Sequence, residues 1–365
     1  MRLLHVIPTI NKKFGGPVHA LDSFLDVDRK LNIQSEIITT TSENEFHYGD
    51  IQVHSFKSSF PSRLSKSKPA NNWLKTNYKN YDFAIFHGVW TYLHFDLAKI
   101  CKDYDLPYAV RPHSTLDPKD LEKKKYLKKL FGPLYVKPYL EGAHKVICTA
   151  QPELDRIVTY GVEISPVIVP LPIKPASYPD DYNSASNKKE IRFLFLSRID
   201  YKKGLDLFLK AMGGLEKEQR KRVKLDIAGD GKPRYKRKIR QLIKENDLEK
   251  QVTFLGFVTG EEKEKAFQNS DVFILTSYFE NFGYAVVEAL DREVPVFISK
   301  EVDIWKDIQK YDAGWFCEYN VESIKKKLQE ILLNGEINKK RRNTSSAAKQ
   351  FYIENIVDKY KKIFD

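Results

Sequence analysis

Glu280 and Glu288 stand with seven residues between them in the string TSYFENFGYAVVEAL. Glu280 falls in a polar loop after an apolar run, Gly283 opens a helical pattern, and Glu288 lies on it among Val286, Val287, Ala289 and Leu290. A carboxylate inside an apolar run needs a hydrogen-bonding partner. The paired hydroxyls of a ribose would supply one, as at the acidic position of dinucleotide sites; so would a salt bridge to lysine or arginine. Upstream, Ser197-Arg198-Ile199-Asp200-Tyr201-Lys202-Lys203-Gly204 spaces two cations, Arg198 and Lys203, between an apolar strand and a helix start. That loop suits a diphosphate, and it also fits a surface charge cluster. Ala228-Gly229-Asp230-Gly231 follows another strand, where glycine permits close backbone approach or a tight turn. Near the N-terminus Gly15 and Gly16 precede Pro17. Proline suits the first turn of a helix, whose free N–H groups attract anions; a plain flexible turn fits equally. No G-x-G-x-x-G occurs, so a dinucleotide fingerprint is not supported.

Other chemistries find less support. The D-x-D at Asp26-Val27-Asp28 falls within a helical pattern, where positions i and i+2 do not share a face. It reads as solvated surface, and no metal site is expected. His5, His19, His47, His54, His94 and His144 form no H-x3-H or H-E-x-x-H and read as structural or surface residues. His87, in His87-Gly88-Val89-Trp90, is a candidate for an acceptor site together with Trp90. Tyrosine and phenylalanine mostly fall in apolar strings, so core is their default. Cys101, Cys148 and Cys317 are odd in number and far apart, which argues for a reducing compartment and against a disulfide scaffold or structural zinc.

These loops need a scaffold. Apolar runs at residues 2–7, 35–39, 51–56, 82–87, 107–111, 145–149 and 166–171 read as strands, with helical patterns at 17–31, 92–104, 118–142 and 151–160. Strand–helix alternation with continuous apolar strands means a parallel sheet covered on both faces. Residues 173–189, IKPASYPDDYNSASNKK, have no apolar period and read as a linker. Alternation then restarts with strands at 191–196, 223–228, 252–255, 271–276 and 294–298, helices at 205–215, 232–246, 261–268 and 284–290, and helices from there to the C-terminus. The expected architecture is α/β: two Rossmann-like doubly wound domains facing a cleft, spanning 1–172 and 190–350. The helical pattern at about 351–365 is apolar at Phe351, Ile353, Ile356, Val357, Tyr360 and Ile363, so one face must be buried.

The chain has 365 residues, 42% of them apolar, which excludes wholesale disorder. Lys plus Arg outnumber Asp plus Glu by 61 to 49, a net charge of +12. Such a chain meets polyanions easily; a polyanion or nucleic-acid binder is therefore an alternative, although no nucleic-acid motif is present. No apolar run is long enough for a transmembrane helix, and Pro8 ends the first apolar stretch too early for a signal peptide. The expected location is cytoplasmic. Residues 119–137, KDLEKKKYLKKLFGPLYVK, interleave leucines with lysines at near-helical spacing. This suits peripheral contact with an anionic membrane face, and equally an exposed amphipathic helix packed on the sheet.

The ordered set resembles the retaining glycosyltransferases of the GT-B fold, particularly glycosyltransferase family 4 (group 1). The family's E-G-F-G-x-x-x-x-E-A appears as ENFGYAVVEA, and SRIDYKKG is similar to its G-R-L-x-x-x-K-G. Gly229-Asp230-Gly231 resembles its G-x-G element and Gly15-Gly16 its glycine loop. HGVW, and Arg111-Pro112-His113-Ser114 followed by Leu116-Asp117-Pro118, are similar to a branch associated with bacterial surface polysaccharides. The likeness covers essentially the whole chain. Two positions depart: Glu293 in EALDREVPV stands where the family has glycine, and Ser114 replaces the glycine of P-H-G.

The resemblance implies a retaining, metal-independent, hexosyltransferase-type enzyme. It would move a sugar from a nucleotide-sugar donor, a UDP- or GDP-sugar, to a saccharide or lipid-linked acceptor in surface polysaccharide or glycoconjugate synthesis, with no cofactor and no nucleic-acid partner. Arg198 and Lys203 would hold the diphosphate, Glu288 the ribose, and Glu280 with the backbone of Asn281, Phe282 and Gly283 the donor sugar. Gly15, Gly16 and Gly229 would admit the donor, the base would rest near Phe257, and His113 would lie beside the sugar. The C-terminal helix would pack back on the first domain. Front-face attack assisted by the departing phosphate oxygen is implied, with double displacement through Glu280 as the lesser alternative. A sugar-nucleotide epimerase of the same architecture is the alternative within enzymes.

Overall fold

A computed structural model describes residues 1–11, 15–40, 48–123, 125–176 and 190–365. Two compact units emerge: Met1–Pro172 with Ile353–Asp365, and Ile173–Tyr352.

The first unit is a parallel sheet of β1 (Arg2–Val6), β2 (Gln34–Thr39), β3 (Gln52–Ser55), β4 (Phe83–His87), β5 (Tyr108–Arg111), β6 (Lys145–Cys148) and β7 (Pro166–Ile168), in the order β3-β2-β1-β4-β5-β6-β7. Its helices are α1 (Gly16–Lys30), α2 (Lys68–Asn77), α3 (Tyr92–Asp103), α4 (Pro118–Leu121), α5 (Lys125–Phe131), α6 (Lys137–Glu141) and α7 (Gln151–Thr159). Every residue of β4 and β5 is buried, as expected of central strands covered on both faces. Chain order reverses between β1 and β4, the switch point where open α/β sheets bind ligands beyond the strands' C-terminal ends.

The second unit repeats the plan. Its strands are β8 (Ile191–Leu196), β9 (Val223–Ala228), β10 (Val252–Gly256), β11 (Val272–Leu275), β12 (Val296–Ser299) and β13 (Gly314–Cys317), ordered β10-β9-β8-β11-β12-β13. Its helices run from α8 (Leu205–Gly213) and α9 (Lys217–Lys221) through α10 (Pro233–Glu245), α11 (Gly260–Gln268), α12 (Tyr284–Asp291) and α13 (Trp305–Gln309) to α14 (Val321–Asn334) and α15 (Ile337–Lys349). The switch point lies between β8 and β11, so the loops carrying Arg198 and Glu280 flank it.

The last helix, α16 (Ile353–Lys361), belongs to the first unit, where Tyr360 packs edge-on to Phe24 of α1 at 5.0 Å. The first four residues of the expected linker belong to the second unit: Ile173 pairs with Tyr352, and Ala176 N–H donates to Asp291 Oδ2 at 2.8 Å. Residues 177–189 lie outside the described residues.

Several expectations fail for identifiable reasons. The stretch after β12 is not all helical, because Gly314-Trp315-Phe316-Cys317 adds a sixth strand. A Cβ at Gly314 would meet the Val296 carbonyl at 2.3 Å, so only glycine lets the two strands meet there. The pattern at 118–142 breaks into α4, α5, a π-helical turn at Gly132–Val136 and α6, consistent with Gly132 and Pro133 interrupting the ladder. Helix α2 escapes notice because it buries only Ala70 and Leu74; Ser67 caps it, accepting from the Ala70 N–H at 3.3 Å.

Candidate functional site

At the switch point of the second unit the three loops lock together backbone to backbone. Gly229 and Gly231 are pressed by the chain itself: a Cβ on either would meet the carbonyl of Ser197 at 1.9 Å or of Ile199 at 2.1 Å. Gly204, at φ 68°, has the Thr276 carbonyl 1.7 Å from its notional Cβ. These glycines therefore tie the loops after β8, β9 and β11 into one platform.

On that platform Lys203 forms an ion pair with Glu280. Two backbone bonds hold the Glu280 loop to the loop after β12: its N–H donates to the Glu301 carbonyl at 3.0 Å, and its carbonyl accepts from Asp303 N–H at 2.9 Å. Glu288 accepts from Lys263 Nζ of α11 at 2.6 Å, the salt-bridge partner that its apolar surroundings demand. Lys263 had no sequence signal, being one lysine among the charged residues of α11. Arg198 is exposed, and no hydrogen bond or ion pair of its side chain is present among the described residues. Gly283, at φ 74°, caps α12. The Asn281 side-chain oxygen is buried and has no hydrogen-bond partner among the described residues. The Phe282 ring is core, 2% exposed and packed on Phe351, so only its backbone is available to a ligand. Phe257 is 76% exposed just past β10. The unit thus gathers Arg198, Lys203, Gly229, Glu280, Asn281, Gly283 and Glu288 in loops at the C-terminal ends of its strands and on the helix that follows. A loop holding two cations above a helix N-terminus can stabilise a departing diphosphate.

In the first unit Gly15, at φ 78°, caps α1, and among the described residues nothing lies within 4 Å of a Cβ placed on Gly15 or Gly16. Lys12, Lys13 and Phe14 of that loop, like His47, lie outside the described residues. His87 ends β4 directly opposite Arg111 of β5, and its ring stacks on His113 at 5.7 Å. His113 and Ser114 both have left-handed backbones, φ 52° and 54°. Glu153 holds this turn: Oε1 accepts from Ser114 N–H at 2.6 Å and Oε2 from Thr149 N–H at 2.7 Å. Burial, with Arg111 and neighbouring histidines adding repulsion, drives His87 and His113 well below the ordinary histidine range, so both are neutral at pH 7. His87 Nδ1 and His113 Nε2 are buried and have no hydrogen-bond partner among the described residues. Gly88 must be glycine: a Cβ there would meet His94 at 2.8 Å, and its φ is 123°. Trp90 Nε1 donates to the Thr115 carbonyl at 3.0 Å, joining the two turns.

The reading of Asp26-Val27-Asp28 as solvated surface is corrected. Asp28 is 1% exposed and accepts from His5 Nε2 at 2.8 Å, Ser35 Oγ at 2.8 Å and Tyr360 Oη at 2.6 Å. His5 Nδ1 shares a 2.9 Å bond with His87 Nε2. A buried polar chain thus runs from the C-terminal helix to the His87–His113 turn, and sequence reasoning missed it because its members are scattered. The two departures from the family pattern also find a physical reading: Glu293, at φ 55°, and Ser114 both occupy left-handed backbone where glycine is unstrained.

Residues 180–351 match the family model Glycosyl transferases group 1. The alpha-monoglucosyldiacylglycerol synthase of Streptococcus pneumoniae is 25% identical over 281 residues, covering 71% of this chain and 62% of that protein. The GalNAc-alpha-(1->4)-GalNAc-alpha-(1->3)-diNAcBac-PP-undecaprenol alpha-1,4-N-acetyl-D-galactosaminyltransferase of Campylobacter jejuni is 30% identical over 201 residues, 53% of this chain and 54% of that one. The chain thus spans between about half and two thirds of the length of these relatives. Anabaena HepE, solved in complex with UDP, superposes with a TM-score of 0.79 at 15% identity, covering 100% of this chain and 99% of that chain. None of these matches supports the epimerase or the polyanion-binding alternative. The stretch similar to the group 1 glycosyl transferases thus lies within the second unit, and the chain, with its two parallel-sheet units, has the GT-B fold.

Proposed function

We propose that the protein is a retaining glycosyltransferase that moves a hexose from a nucleoside-diphosphate sugar to a saccharide or lipid-linked acceptor. One observation carries the reading: at the switch point of the second unit, glycine-tight loops carry the Lys203–Glu280 pair and, on the same loop as Lys203, an exposed Arg198 whose side chain has no partner among the described residues. As the sugar–phosphate bond breaks, negative charge grows on the diphosphate, and fixed cations aimed there lower the barrier. Arg198 and Lys203 supply that charge, so the proposed reaction assigns no metal. Glu288, 27% exposed at its side chain, exchanges Lys263 for the ribose hydroxyls. Glu280, released from Lys203 as the diphosphate takes that lysine, faces the sugar. The UDP complex of HepE supports a nucleotide donor, and the names of the two relatives support a lipid or lipid-linked acceptor.

The test is a thermal-shift panel of UDP-, GDP- and ADP-sugars, followed by transfer to added acceptor with the anomeric configuration of the product read by NMR. A donor at one hundred times its dissociation constant stabilises by ~2.7 kcal/mol. No shift with any sugar nucleotide, or an inverted product, would count against the proposal. EDTA should leave the rate unchanged.

Peripheral membrane contact is part of the same proposal. Among the described residues no helix is long and apolar enough to cross a membrane. Yet Tyr126, Leu130 and Leu134, four apart along α5 and the turn after it, are 88%, 62% and 65% exposed, flanked by Lys125 and Lys129. A lysine near an anionic surface is worth ~1 kcal/mol. Co-sedimentation with anionic vesicles at low salt should disappear when Lys125 and Lys129 become Glu.

A further inference from the structure

A second stripe runs along the same segment. Lys123, Leu127, Phe131 and Tyr135, again four apart, line a groove of about 560 Å3 whose opposite wall includes Trp90, Tyr92 and Phe95. The volume falls in the range of a small-molecule site. The aromatic rings are spent on one another: Tyr135 meets Tyr92 at 5.6 Å, Phe95 at 5.4 Å and Phe131 at 5.8 Å. Lysine ammoniums cover two further ring faces, Lys128 over Trp90 at 5.1 Å and Lys66 over Tyr92 at 5.3 Å. Those faces are therefore not free platforms for stacking a sugar. What the groove offers is apolar surface, ring edges and a cationic rim.

Two lysines, Lys123 and Lys128, line that rim, and both reach one carboxylate, Asp120, at 3.1 and 3.2 Å. Lys128 is only 15% exposed at its side chain, anchored by the Asp120 carbonyl at 2.8 Å. The groove also adjoins the candidate site. Trp90 stands three residues after His87, and its indole N–H bonds Thr115, two residues after His113.

We propose that this groove binds the hydrocarbon chain of a phosphorylated amphiphile, with Lys123 and Lys128 on its phosphate. Resting on the glycosyltransferase reading, this makes the amphiphile the lipid portion of the acceptor, its head group directed toward the His87–His113 turn. An apolar slot with a cationic rim favours this over a free saccharide, which has no charge for the rim and little apolar surface for the slot.

The test is calorimetric titration of the full chain with geranyl monophosphate and farnesyl monophosphate, both below their critical micelle concentrations, beside inorganic phosphate and free hexoses. Each methylene taken from water is worth about fourfold in affinity, so the five additional carbons of farnesyl should tighten binding at least tenfold. Leu127→Asp, at a residue 55% exposed, should weaken farnesyl monophosphate binding at least tenfold, and Lys123→Glu at least threefold, with melting unchanged. UDP binding should be the same in all three proteins. Equal affinity for the two chain lengths, binding only above the micelle concentration, inorganic phosphate binding as tightly, or hexoses displacing the lipid would each overturn the proposal. Failure of every sugar nucleotide to bind while farnesyl monophosphate binds would instead remove the donor reading and leave the groove standing.

Discussion

Asp28 is the sharpest test of the first unit. Its carboxylate is 1% exposed and receives three hydrogen bonds, from His5, Ser35 and Tyr360 at 2.6–2.8 Å. Asp28→Ala leaves three donors without an acceptor. A hydrogen bond to a charged group is worth ~1.5–3 kcal/mol, so the low end for three bonds is about 4.5 kcal/mol. Deleting the carboxylate also removes its own desolvation cost, which brings the expectation to about 4 kcal/mol, within the ~3–5 kcal/mol typical of breaking a buried pair. Domains are stable by only ~5–15 kcal/mol, so the loss should be plain in urea titrations. Trp73 and Trp90 lie in the first unit and Trp305 and Trp315 in the second, so emission in a Trp305→Phe, Trp315→Phe background follows the first unit alone. Tyr360→Phe, which keeps the contact with Phe24, should cost about 1.5 kcal/mol, and the two substitutions should be non-additive by at least ~0.5 kcal/mol. Asp26→Ala, at a surface pair with Arg29, should stay within ~0.5 kcal/mol. If Asp28→Ala cost no more than Asp26→Ala, or if Asp28 and Tyr360 were additive, the buried chain would not be a structural element.

Three further outcomes are expected. Lys203→Ala should fold normally and lower kcat by ~10²–10³, as removal of one contact to developing charge does; full activity in the folded variant would end its role on the diphosphate. Glu293→Gly should relieve a left-handed residue at φ 55° and raise the urea midpoint of the second unit by an amount worth ~1 kcal/mol; a lower midpoint would contradict this. Burial holds His94 down to about 3, and His87 and His113 are lowered as well. The unfolded chain binds protons below pH ~6.5 that the folded chain refuses, so stability falls with decreasing pH from there, by ~1.4 kcal/mol per pH unit for each such histidine. A urea midpoint of the first unit that stays flat from pH 7 to 4.5 would show that these rings are protonated in the fold.

The candidate site was legible where its determinants are local. Strand-end loops carry their chemistry in consecutive residues, so Arg198, Lys203, Glu280 and Gly283 were readable from SRIDYKKG and ENFGYAVVEA, and the two doubly wound sheets from strand–helix alternation. Composition could not show why glycine stands at 204 or 229, because the reason is a carbonyl of another loop. Asp28 was misread for a stronger version of the same cause. Its helix pattern permits either a wet or a dry position, and the choice is made by Tyr360, 332 residues away, and by His5 on the neighbouring strand. Glu288 shows how the two kinds of information combine. The apolar run around it required a partner but left ribose and salt bridge open; the fold supplies Lys263 at 2.6 Å. Because both side chains are about a quarter exposed, that ion pair is screened and weak. A ribose that displaced the lysine would forfeit little and gain a charge-assisted bond. On the proposed donor reading the salt bridge would hold Glu288 in place until a nucleotide arrives, and the two sequence readings would describe successive partners of one carboxylate.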